Sequence, residues 1–191
     1  MLTDYFLDKR AGLIPVKILC EVLGKMCIPL AGQRIIELGK SIKHADQLDA
    51  MMVEVELCVS LIFKPLRHHM KIIINEEDPS LLMGMWIPTL NVIKEILNEN
   101  STAEENPSDM GPMSPIRSQM IKSTNVLTIE HLQNVVMVLV SYDVLKASPE
   151  EESAGPDDSI SVETWKLIGE IPALDDEWKK AIGNPLPPHL I

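Results

Sequence analysis

The chain has 191 residues, 46% of them hydrophobic and 24% charged, with 17 basic against 28 acidic side chains and a net charge of −11. That length bounds the protein to roughly one domain of about 100–200 residues with a core of its own. The acidic balance disfavours a nucleic-acid footprint or an anionic-lipid patch, since both need clustered Lys and Arg. The aromatics are few: Trp86, Trp165, Trp178, Tyr5, Tyr142, Phe6 and Phe63. Aliphatics and Met therefore supply the apolar volume, which favours packed helices over a β-sandwich.

In chain order, Pro15 stands near the start of a helix over 16–25, and Pro29 near the start of another over 30–38. From Leu48 the apolar positions Met51, Met52, Val55, Cys58, Val59, Ile62, Leu66 and Met70 recur at steps of three and four, one stripe down a long helix. Pro65 inside that run predicts a kink or break near Lys64. A second stripe joins Leu82, Met85, Trp86, Leu90, Ile93 and Leu97 around Pro88. A third joins Ile129, Leu132, Val135, Val136, Leu139 and Val140, with Thr128 as its expected N-cap. Ser161 is the expected cap of a helix through Glu170, and Asp175 that of a helix over 176–182 stopped by Gly183.

Two stretches break the periodicity. Residues 98–124 and 148–159 are rich in Pro, Gly, Ser and carboxylates, a composition that cannot bury enough apolar surface to offset chain ordering. They read as acidic, disordered loops. Residues 1–98 are nearly neutral at −1, whereas 99–191 carry −10. The expected fold is thus all-α, a HEAT- or armadillo-like stack of antiparallel helix pairs over residues 1–182, interrupted by flexible loops at 98–124 and 148–159, with a Pro-rich tail over 183–191. A compact helical bundle is the alternative architecture.

No apolar run approaches the ~20 residues that span a bilayer, and the first residues carry no signal-peptide pattern, which reads as cytosolic. Cys20, Cys27 and Cys58 lack CxxC spacing and sit in apolar helical patterns, as small core hydrophobes do. His68 and His69 are adjacent and point about 100° apart on a helix, so they cannot face one metal. His44, His131 and His189 have no ligand partner at metal spacing. Neither a phosphate loop nor a nucleophile elbow is present, so no catalytic, metal or cofactor residue is assigned. Trp86, Trp165 and Trp178 are candidate partner contacts, because Trp is enriched among interface anchors, although each also suits a core position. Ser114 and Ser148, each followed by Pro, are candidate phosphorylation sites, and the sequon at Asn100 would stay unused in a cytosolic protein.

The stretch from Glu130-His131-Leu132-Gln133-Asn134 through the aliphatic run to Leu139, then Val144-Leu145, an acidic spacer, and Thr164-Trp165-Lys166-Leu167-Ile168 through Ile171-Pro172-Ala173-Leu174-Asp175-Asp176-Glu177 resembles the C-terminal end of large Arf guanine-nucleotide exchange factors. The Golgi-specific brefeldin-A-resistance factor and plant GNOM represent that group. Upstream, Trp86 with Leu90 and Ile93, and Lys25-Met26-Cys27-Ile28-Pro29-Leu30, are similar to earlier helices of the same family. The family's exchange domain, with its Phe-Arg-x-Pro-Gly-Glu loop and glutamate finger, has no counterpart in these residues.

The resemblance implies a non-catalytic helical regulatory and membrane-recruitment segment, binding protein partners of the Arf pathway and associating peripherally with Golgi membranes. No small-molecule substrate or cofactor is implied. Two alternatives remain open from the sequence: an incomplete record of an active exchange factor whose catalytic domain lies upstream, and a generic helical adaptor or scaffold.

Overall fold

The computed structural model describes residues 16–75, 79–105, 114–146, 159–174 and 178; among them the main elements are helices and there is no strand. Helix α1 (Val16–Val22) passes through a π turn (Leu23–Cys27) directly into α2 (Ile28–Ser41), and a 3-10 turn (Ala45–Gln47) leads to α3 (Leu48–Asn75). Then come α4 (Pro79–Glu105), α5 (Pro115–Ser141) and α6 (Ser159–Gly169).

Several sequence expectations are corrected by these bounds. The two N-terminal helices form one continuous helical run. Pro29 has no N–H for the carbonyl of Lys25, and the wider π turn just before it accommodates the ring without ending the run. Neither Pro65 nor Pro88 breaks its helix. Ile62, Phe63 and Leu66 around the first, and Trp86 and Leu90 around the second, are fully buried, so packing offsets the one lost hydrogen bond.

The expected loop at 98–124 shrinks from both ends, since 98–105 belong to α4 and 115–124 to α5. Asn100 is buried and its amide donates to Asn125 Oδ1 at 2.6 Å, while Ser101 donates back to the Leu97 carbonyl at 2.9 Å. On α5, Met120, Ile121 and Thr124 are buried. Ser114, with Pro115 behind it, caps this helix by accepting from Arg117 N at 3.2 Å. Thr128 is therefore no cap but an interior residue whose hydroxyl donates to Thr124 O at 2.8 Å. Likewise Ser161 lies inside α6, which starts at Ser159, and its Oγ accepts from Lys146 N at 3.2 Å. The expected helix over 176–182, apart from Trp178, the tail over 183–191 and most of the loop at 148–159 lie outside the described residues.

Helix α5 ends on Tyr142, with Asp143 in the left-handed region at φ 56 and bonds from Asp143 N to Val140 O and from Val144 N to Leu139 O. This is a Schellman ending in which Asp takes the place usually given to Gly.

How the helices pack follows from which residues meet. A Cβ on Gly24 would lie 2.2 Å from the Gly84 carbonyl oxygen, a Cβ on Gly32 would lie 2.2 Å from Val92 Cγ1, and that of Gly39 lies 4.0 Å from Asn100 Oδ1. The near-constant offset between partners means that the run from the π turn through α2 goes parallel to α4, and glycine lets the backbones close up. Trp86 Nε1 donates to Thr164 Oγ1 at 2.8 Å, and Lys94 pairs with Glu170 further along, so α4 and α6 are parallel as well. Helix α2 also packs on α3, where Arg34 meets Glu54 at 2.7 Å, and α3 packs on α5. Arg117 Nε donates to the Gly39 carbonyl at 3.1 Å, supplying one of the carbonyls near the α2 C-terminus with a cationic donor.

Candidate functional site

A groove with two recesses runs between α3 and α5. Phe63 and His131 meet across it with ring centroids 5.5 Å apart and planes at 51°. Toward the N-terminal ends of the same helices, Met52 and Glu56 of α3 share a recess of about 410 Å³ with Lys122, Ser123, Val126, Leu127 and Glu130 of α5. The order of these contacts makes α3 and α5 parallel.

A second recess, of about 480 Å³, continues the groove and is lined by Ser60, Phe63, Lys64, Arg67 and His131. Ser60, Lys64 and Arg67 fall at i, i+4 and i+7, which places them on one side of α3. Phe63, fully buried, forms the floor. His131 Nδ1 lies 3.1 Å from the Leu127 carbonyl. A carbonyl can only accept, so this nitrogen carries the proton and Nε2 is left for other partners. Lys64 and Arg67 make no ion pair among the described residues, whereas Arg34 is paired with Glu37 and Glu54, Lys40 with Glu99, and Lys94 with Glu170. The ridge of α3 beside the groove exposes Val53 and Leu57 at 57% and 61%, and α5 exposes Val126 at 56%. Apolar side chains so open to water mark contact surfaces when they gather beside a recess.

The three tryptophans have different places. Trp86 is wholly buried with its N–H satisfied by Thr164, so it holds α4 to α6 and offers no surface to a partner. Trp178 is buried in the same core cluster. Trp165 is half-buried and its Nε1 donates to the Lys146 carbonyl at 2.7 Å, tying α6 to the turn after α5. None of them lines the α3–α5 groove. Ser114 is engaged as a helix cap, and Ser148 lies outside the described residues, as do the side chains of His68 and His69.

Cys20 and Cys58 are buried, and burial pushes both thiols up, away from the thiolate that a nucleophile requires. Cys27 is half-buried. Among the described residues no three His, Cys, Asp or Glu side chains gather as a metal set, and no helix is long and apolar enough to cross a membrane.

The groove was not singled out by sequence reasoning, although a signal exists. Val53 and Leu57 are apolar residues outside the stripe that the helix buries, and a helix with apolar positions on two faces has a second surface to cover. Compared with protein-family models, with curated proteins and with solved structures, the chain matches none.

Proposed function

We propose that this chain is a HEAT/armadillo-like helical segment that acts by binding and not by catalysis. The observation that carries this reading is register: helices two apart in the chain lie side by side and parallel, α2 with α4, α4 with α6, and α3 with α5. Such an order is that of a two-layer stack, in which each added helix pair extends the layers and leaves grooves between neighbours in one layer. Lys64 and Arg67, which make no ion pair among the described residues, line one of those grooves together with the exposed Val126.

The narrower reading, a regulatory and recruitment segment in Arf-dependent traffic at the Golgi, rests on the ordered resemblance to the C-terminal region of large Arf exchange factors. Residues that carry it, such as Trp86, Val135, Val136, Leu139, Leu145, Thr164 and Ile168, are buried together. The motifs therefore mark positions that hold helices in place, which supports a likeness of architecture first and of partner second. The purified chain is expected to leave the release of a fluorescent GDP analogue from Arf at its spontaneous rate. Acceleration would overturn the non-catalytic reading. A tagged chain that never overlaps a Golgi marker in cells would overturn the Golgi assignment and leave the binding segment standing.

A further inference from the structure

We infer that residues 1–11 of this chain dock on the open end of the helical stack and cover an apolar strip formed by Ile18, Met26 and Leu30 of the first helical run with Leu57 of α3. The inference uses the observed order of the helices, and neither the α3–α5 groove nor the Arf-specific reading.

The strip lies on the side of the first run that faces away from the rest of the fold. Gly24 and Gly32 press this run against α4. Met26 and Leu30 each stand two residues from one of those glycines, about half a helical turn, so they point away from that seam. Both are more than half exposed, as is Ile18. Positions 18, 22, 26 and 30 follow at steps of four, which drift by about 40° per step in an α-helix. The wider winding of the π turn (Leu23–Cys27) takes up that drift, so Ile18 and half-buried Val22 stay nearly in line with Met26 and Leu30. Helix α3 runs antiparallel alongside, with Arg34 opposite Glu54. About one turn beyond that pair, Leu30 is level with Leu57, which is also more than half exposed. Large aliphatics gathered in this way mark a contact surface, and the outer face of a terminal repeat is otherwise polar.

Position, reach and composition select the occupant. Helices two apart in the chain are parallel, α2 with α4 and α3 with α5. By the same order, a segment preceding α1 falls beside α3, in the angle between α3 and the first run, where the strip lies. Residues 1–15 lie outside the described residues and join α1 directly at Val16. Gly12 to Pro15 give a connection of ordinary helix–helix length. Residues 1–11 would reach about 15 Å at the helical rise, close to the roughly 18 Å between Ile18 and Leu30. Helical spacing puts Leu2, Tyr5 and Phe6 on one side of that segment and Asp4 and Asp8 on the other. A second copy of the chain is the weaker candidate. Four apolar side chains are a small centre for an interface of ~20–30 residues a side, whereas a tethered segment is held at a millimolar effective concentration.

The test reads both sides of the contact in the full 191-residue chain. Amide exchange over residues 2–11 is expected to be at least about tenfold slower than in the urea-unfolded chain. Phe6→Ser, and separately Met26→Ser/Leu30→Ser, should each return those amides to the unfolded rate. Oxidation of Met26 to the sulfoxide by dilute hydrogen peroxide should be several-fold faster in Phe6→Ser than in the wild type. Phe6 lies outside the described residues, and Met26 and Leu30 are exposed, so thermal melting should show an intact core in every variant. Unprotected amides over 2–11, or Met26 oxidised equally fast in the wild type and Phe6→Ser, would overturn the proposal. So would protection that survives Met26→Ser/Leu30→Ser, which would put the segment elsewhere. A dimer in sedimentation whose Met26 stays shielded in Phe6→Ser would replace the segment by a second copy. None of these results bears on nucleotide release from Arf or on Golgi overlap, so the two readings fail separately.

Discussion

Two pairs of parallel helices in this protein are built on the same plan and end differently. Between α2 and α4, together with the π turn that precedes α2, glycines at 24 and 32 let the chains touch, and Val92 and the Gly84 carbonyl occupy the space that a Cβ would need. Between α3 and α5, recesses are lined by Met52, Glu56, Ser60, Lys64 and Arg67 on one side and by Lys122, Val126 and His131 on the other. Neither of these helices carries a glycine to close the seam. Side-chain size at the contact sets helix spacing, and spacing separates a sealed seam from a groove able to receive a partner.

The most damaging change expected is at the sealed seam. Gly24→Ala puts a methyl against the backbone carbonyl of Gly84, which cannot rotate away, and should cost about 3 kcal/mol in chemical denaturation. Gly32→Ala meets the Val92 side chain instead, so Val92→Ala in the same chain should recover much of the loss, a coupling that a double-mutant cycle measures. If Gly24→Ala melts like the wild type, the seam is not closed as described.

Next in size is Trp86→Phe in the adjoining α4–α6 seam. It removes part of the indole volume and leaves the buried Thr164 hydroxyl without its donor, a loss of about 2 kcal/mol by the same measurement. Substitutions on the ridge beside the groove should behave in the opposite way. Leu57→Ser, at a position 61% exposed, should change stability by less than about 0.5 kcal/mol. A large loss of stability there would mean that the ridge belongs to the core.

The smallest effect is electrostatic. The Arg34 hydrogen bond, followed by its charge, holds the Glu54 carboxyl below its ordinary range, and Lys94 does the same for Glu170. A depressed folded-state value means that each pair contributes above the unfolded carboxylate range of about 4 and fades as pH falls through the folded value. Because all four groups lie at the surface, the contribution is slight and screened by salt. Acid titration of stability should therefore show a shallow decline that added salt flattens. A steep one would point to carboxylates buried elsewhere.

Much of the helical core was legible in the chain itself. The stripes through Val55, Val59, Ile62 and Leu66, through Met85, Trp86, Leu90 and Ile93, and through Leu132, Val135, Val136 and Leu139 are buried as their spacing requires. Helix ends were less legible. Pro107, Gly111, Pro112 and Pro115 drew the expected loop outward across Asn100 and Met120, although side chains at 100 and 101 bond within or across helices. Thr128 and Ser161 have the chemistry of caps, and whether such a hydroxyl caps a helix, returns to its own backbone as Thr128 does, or accepts from another segment as Ser161 does depends on where the preceding chain goes. Cations at 64 and 67 look like any solvated positions until α5 brings His131 beside them.

The sequence by itself determined that the protein is helical, which faces are apolar, and that it carries excess negative charge, because each of these follows from residue type and from the 3.6-residue period. Only the tertiary structure decided that helices two apart run parallel, that glycines close one seam, and that the other opens into a groove with a cationic end. Those features depend on which helix meets which and at what offset. That pairing is a property of residues distant in sequence, and no local pattern records it.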